Sequence, residues 1–187
     1  NTSAATDYAL DASSKGVSAG ITVATLTPTV TNTSVTKVYD AANEAPSGFT
    51  PTYSFTGLVS GDTDAVLTHT GHVYDSIHVV GATKVTVSGL AMSSITGSNS
   101  SAITDYVLSA TSKDVGAAIT TKTLTPTVTN TGVTKVYDGT TAAPAGFEPT
   151  YSFTGFITND TNAVLTHTAH VYNSAHVVGA STITVSG

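Results

Sequence analysis

The pentapeptide Thr36-Lys37-Val38-Tyr39-Asp40 returns letter for letter as Thr134-Lys135-Val136-Tyr137-Asp138, a displacement of 98 residues (137 − 39). Aligned on it, residues 1–89 fall on residues 99–187 without insertion or deletion, and about two positions in three are identical. A repeat of that length suits two small domains, each with a core of modest depth, better than one large core. Closed repeat arrays use shorter units in greater number. The expected organisation is a first module over residues 1–90, a short connector over 91–98 and a second module over 99–187. A permuted boundary would give one complete module over 25–122 flanked by fragments. Two modules are favoured because exposed incomplete sheets invite edge pairing.

Within each repeat the pattern is that of short strands. Tyr8 and Leu10 alternate with Asp7 and Ala9, and β-branched residues dominate from Ala19 to Val30. Pro28 cannot donate to a ladder, so a bend, bulge or edge is expected there. Val35, Lys37 and Tyr39 share one face of the anchor strand, and Asp40 ends it in a turn. Tyr53-Ser54-Phe55-Thr56-Gly57, Ala65 to Thr70 and Lys84-Val85-Thr86-Val87 read as further strands. Ala41 to Ala45 has room for one helical turn before Pro46. The predicted fold is mainly β: two tandem small β-grasp-like or β-sandwich modules, each with at most one short helix. In the connector, Leu90, Met92 and Ile95 are available to pack.

Charge narrows the functions. Charged residues are 10% of the chain, the net charge is −6, and the six basic residues are all lysine. Nucleic-acid binding is not expected, since phosphate recognition wants clustered Lys and Arg. No apolar run is long enough to span a bilayer, and there is no cysteine for a disulfide framework.

Candidate chemistry is sparse. His69, His72 and His78 recur as His167, His170 and His176, and imidazole binds zinc, copper or nickel. On a straight strand His69 and His72 face opposite ways, so only a bulge or turn around Gly71 would bring them together. Asp62-Thr63-Asp64, with its counterpart Asp160-Thr161-Asn162, offers oxygens to calcium but too few for a site. A spontaneous crosslink between Lys37 and Asn32, or Lys135 and Asn130, would need a buried carboxylate beside it. No nucleophile elbow, phosphate loop or HExxH helix is present. No catalytic residue, cofactor or metal is therefore expected. Tyr39 reads as a semi-buried aromatic with its lysine neighbour snorkelling.

Lys135-Val136-Tyr137-Asp138-Gly139-Thr140-Thr141 resembles the signature of the YDG repeat domains, related to the mostly-β-grasp repeats of large bacterial surface proteins. The later run from Val177 to Gly187, with its Val-Ser-Gly end, resembles that family's second marker. The first repeat departs from the pattern at Asp40-Ala41-Ala42-Asn43, which lacks the Gly and the Thr pair. The resemblance implies structural roles for Lys37, Tyr39, Asp40, Lys135, Tyr137, Asp138 and Gly139. It also implies a non-catalytic spacer or stalk in a filamentous-haemagglutinin-like adhesin, secreted to the bacterial cell surface, with a Gram-negative outer surface expected. Its partners would be neighbouring repeats of the same polypeptide and, through the wider adhesin, a host or biofilm glycan or protein. The alternative is a module that itself binds such a glycan or protein through exposed aromatics.

Overall fold

The computed structural model describes residues 2–187. Their regular structure is β-sheet apart from two single 3-10 turns, Ala5–Asp7 and Ile103–Asp105. The chain divides into two compact units, neither contiguous in sequence. One comprises Asn1–Thr33, Gly48–Val73 and Val85–Val115, the other Ser34–Ser47, Tyr74–Lys84 and Gly116–Gly187.

In the first unit, β1 (Ala24–Val30) pairs antiparallel with β3 (Tyr53–Thr56) along Thr27–Val30. Along Ala24–Leu26 it pairs in parallel with β8 (Tyr106–Leu108). Pro28 lies beyond the point where β8 stops, so the donor it lacks is not called for on that side. A second pair joins β4 (Asp62–Thr68) to β7 (Ala91–Gly97), with register shifts between Asp62 and Asp64 and between Val66 and Leu67. The first shift moves the inward face from even to odd positions. Asp62, Ala65 and Leu67 are all buried as a result.

Two apolar clusters form in this unit among the described residues. Leu26, Ala65 and Tyr106 form one, with Met92, Ile95 and Leu108 against it. Leu67, Val87 and Leu90 form the other, with Phe49, Tyr53 and Phe55 against it. Residues 91–97, read from sequence as connector, are thus a core strand, and Leu90, Met92 and Ile95 pack as their apolar character suggested.

In the second unit, β2 (Val35–Val38) pairs in parallel with β9 (Ser112–Thr120) in the register Val35 to Ala117. β5 (Gly71–Tyr74) and β6 (Lys84–Ser88) lie mostly in the first unit, with only Tyr74 and Lys84 falling in the second. Ile119 is buried on β9. The rest of this unit holds two hairpin-like pairs: β10 (Thr125–Val128) with β11 (Tyr151–Thr154), and β12 (Ala169–Tyr172) with β13 (Ile183–Ser186).

Closely similar sequence therefore takes different structures. The 3-10 turn forms in both repeats, because Asp7 and Asp105 each accept a 2.8 Å bond from the backbone N–H three residues back. Beyond that turn the two repeats part. Tyr106–Leu108 and Ser112–Thr120 are strands, whereas residues 8–10 and 14–22 are exposed and without regular structure. The predicted Tyr8–Leu10 strand is thus realised in the second repeat alone, where β1 supplies a partner. Residues 133–136 and 160–166, counterparts of β2 and β4, likewise form no strand.

Candidate functional site

The recurring Lys-Tyr-Asp turn is a tightly bonded knot. Burial leaves only 8% of the Lys37 side chain exposed, so its ammonium needs partners. Nζ donates to Asp40 Oδ1 at 2.7 Å and to the Ala42 carbonyl at 2.8 Å, and lies 5.4 Å from the centre of the Tyr74 ring. Asp40 Oδ1 also accepts from the Ala42 N–H at 3.0 Å, closing the turn. The Lys37 bond is the main cause holding the Asp40 carboxyl below its usual range. Buried Tyr74 donates its hydroxyl to the Val35 carbonyl at 3.1 Å, and desolvation pushes its phenol up.

The second repeat builds the same knot. Lys135 Nζ reaches Asp138 Oδ1 at 2.8 Å, the Thr140 carbonyl at 2.8 Å and the Tyr172 ring at 5.6 Å. Thr140 donates both its N–H and its hydroxyl to Asp138. With the Lys135 bond first among the causes, these interactions bring the Asp138 carboxyl down to about 2. Gly139 takes a left-handed φ of 75°, and Ala41 takes the same region at 63°. The turn geometry therefore persists where its glycine is missing.

Tyr39 and Tyr137 stack on His78 and His176 at ring separations of 6.3 and 6.4 Å. Lysine does not snorkel past Tyr39; it turns to the carboxylate and to Tyr74. Sequence reasoning passed over Tyr74 and Tyr172, whose available signal was an identical His-Val-Tyr in both repeats.

The histidines divide. His69 and His72 come together at 5.5 Å between rings, and His167 and His170 at 5.4 Å, because the strand begins only at Gly71 or Ala169. The strand-parity expectation of opposite faces does not hold, while the bend at Gly71 does. His72 sits edge-on to Phe49 at 5.3 Å, and its Nδ1 is buried without a hydrogen-bond partner, as is that of His170. No group of three or more His, Cys, Asp or Glu able to hold a metal occurs among the described residues.

The acidic turn also disperses its oxygens. Asp62 Oδ2 accepts from the Tyr106 hydroxyl at 2.6 Å and from Ser101 Oγ at 2.8 Å, whereas Asp64 Oδ1 accepts from the Ala65 N–H. Donation to Asp62, then burial, raises the Tyr106 phenol. Asn32 and Lys37 serve separate ends: Asn32 bonds Thr50 and Thr52, and Lys37 bonds Asp40 and Ala42. Asn130 likewise bonds Glu148 and Thr150. These bonds close loops rather than prepare a crosslink.

Residues 120–187 match the family model of the YDG domain. No curated protein and no solved structure matches the chain. The match covers the C-terminal 68 residues of the chain.

Proposed function

We propose that the chain is a non-catalytic spacer of tandem YDG-like β-modules in the stalk of a large, exported bacterial surface adhesin, holding a distal binding region away from the cell. One observation carries this reading: the repeats share strands. β1 and β2 of the first repeat pair in parallel with β8 and β9 of the second, across more than 80 residues of chain. The physical module we assign runs from β1 to β9, residues 24–120. Two facts support that boundary. Every buried hydrophobic side chain among the described residues falls between Leu26 and Ile119. The YDG match begins at residue 120, whose counterpart, residue 22, lies two residues before the start of β1.

A module that begins in one repeat and ends in the next leaves little free linker, and so turns chain length into reach. Both end strands have parallel partners. Tension on β9 toward its C-terminal end draws it along β2, loading the ladder bonds together instead of peeling them one by one.

Single-molecule stretching of the whole chain tests the reading. One dominant unfolding event is expected, releasing about 350 Å of contour for residues 24–120 at ~3.6 Å per residue. Two equal events, or none above the extension of a disordered chain, would defeat it.

A further inference from the structure

The second repeat carries an open groove with apolar and polar walls, and the first repeat shows what fills it. A cavity of about 420 Å³ is lined by Val128, Val133, Phe147, Tyr172, Ile183 and Val185, together with the polar Asn130, Thr134, Ser181 and Thr182. The counterparts of Val128, Val133, Phe147, Tyr172, Ile183 and Val185 in the first repeat are Val30, Val35, Phe49, Tyr74, Val85 and Val87. Of these, Val85 and Val87 are fully buried, and Tyr74 and Val35 nearly so. The strand beside Val35 is β9, whose Ala117 N–H also donates to the Thr83 carbonyl at 2.9 Å. Beside Leu26, fully buried, lies Leu108 of β8; its counterpart Leu124 is 37% exposed.

The filler has a second version in the same chain. Tyr8, Leu10, Val17 and Ile21 correspond to Tyr106, Leu108, Val115 and Ile119. Tyr106, Val115 and Ile119 are buried, while Tyr8, Leu10, Val17 and Ile21 are 73% to 103% exposed. Groove and matching strand segment thus lie in different repeats of the chain.

We infer that residues 8–22 of a second copy of this chain dock into the groove of residues 124–185, adding strands in the registers that β8 and β9 occupy in the first repeat. The inference rests on the module boundary proposed above. Transferring the observed registers sets Leu10 beside Leu124, Ala19 beside Val133 and Thr22 beside Val136. Tyr8 then donates its hydroxyl to Asp160, as Tyr106 does to Asp62. Groove and segment are different surfaces, so the contact is heterologous and propagates head to tail.

Sedimentation velocity on the full chain, over a concentration series, tests this. The mean mass rises with concentration, and a Leu10→Asp/Ile21→Asp double variant associates at least about 100-fold more weakly, because docking would bury unpaired carboxylates. A wild-type chain that stays monomeric up to about 1 mM overturns the inference, as does a double variant that associates like the wild type. Thermal melting of the double variant separates the two readings. An unchanged monomer transition leaves the 24–120 boundary standing even if docking fails; a lowered one removes the boundary itself.

Discussion

Ala41 holds a φ of 63° that an L-residue enters at a cost of ~1–2 kcal/mol, and it does so because Lys37, Asp40 and Ala42 fix the turn around it. Gly139 meets nothing closer than the Tyr137 hydroxyl, 4.0 Å from where its Cβ would be, so conformation rather than space selects glycine there. Ala41→Gly should stabilise the chain by about 1 kcal/mol and Gly139→Ala should destabilise it by a similar amount. Urea unfolding of both variants checks this, and a stabilising Gly139→Ala would refute the account. Asp75 offers a second test at the same scale. Its carboxylate accepts from Thr83 Oγ1 at 2.6 Å, the Thr83 N–H at 2.9 Å and the Lys84 N–H at 3.3 Å, with the hydroxyl bond foremost in lowering it to about 2. A depressed carboxyl stabilises the fold fully above the unfolded value near 3.8, and that contribution is lost as pH falls through about 2. Asn173 makes the equivalent bonds with an amide that does not titrate in this range. Melting curves at pH 4 and pH 2 should therefore show the wild type losing more stability than Asp75→Asn. Equal losses would mean the Asp75 bonds do not matter to folding.

At the scale of elements, the duplication works as an internal control on what local sequence can decide. β1 with β3 reappears as β10 with β11 in the same register, so that pairing belongs to residues 24–56 alone. The strand beginning at Tyr53 was legible from its alternating aromatics, and so was the strand at Lys84 from its valines. β7 was not, because the shift between Val66 and Leu67 breaks its period of two: Leu90 and Met92 face inward on even numbers, Ile95 on an odd one. The partners of β1 and β2 were also hidden, since alternation marks which face is buried and never which distant strand will lie alongside. The knot was half legible: Lys37 and Asp40 stood out as a repeated pair, while Tyr74 joins them only through the fold. One paired substitution tests the element-level claim. Ile119→Ala removes a side chain that is 3% exposed and should cost about 2–4 kcal/mol. Ile21→Ala, at the same place in the first repeat, should change stability by less than about 0.5 kcal/mol. Comparable losses at the two positions would place residues 8–22 in a core after all.

For the molecule as a whole, the consequence is an uneven distribution of stability along a nearly repeated sequence. Apolar burial is concentrated between Leu26 and Ile119, and the paired strands beyond it, β10 to β13, have half-buried or exposed faces. Only 10% of residues are charged, so little electrostatic repulsion guards the open strands of the second repeat against pairing with another molecule. Amide hydrogen exchange reads this directly, because protection follows the free energy of local opening. The comparison is cleanest within the duplicated pentapeptide, where intrinsic exchange rates are matched by identical sequence. The Tyr39 N–H donates to the Thr120 carbonyl at 2.9 Å, and β2 around it is paired along its length. Residues 133–137 form no strand. In dilute solution the amides of Lys37 and Tyr39, which face β9, should be protected at least about 100-fold more than those of Lys135 and Tyr137. Equal protection would show that the second repeat completes its sheet without help. A rise for Lys135 and Tyr137 with concentration, and not in the Leu10→Asp/Ile21→Asp variant, would locate association on the strand register that β9 fills in the first repeat.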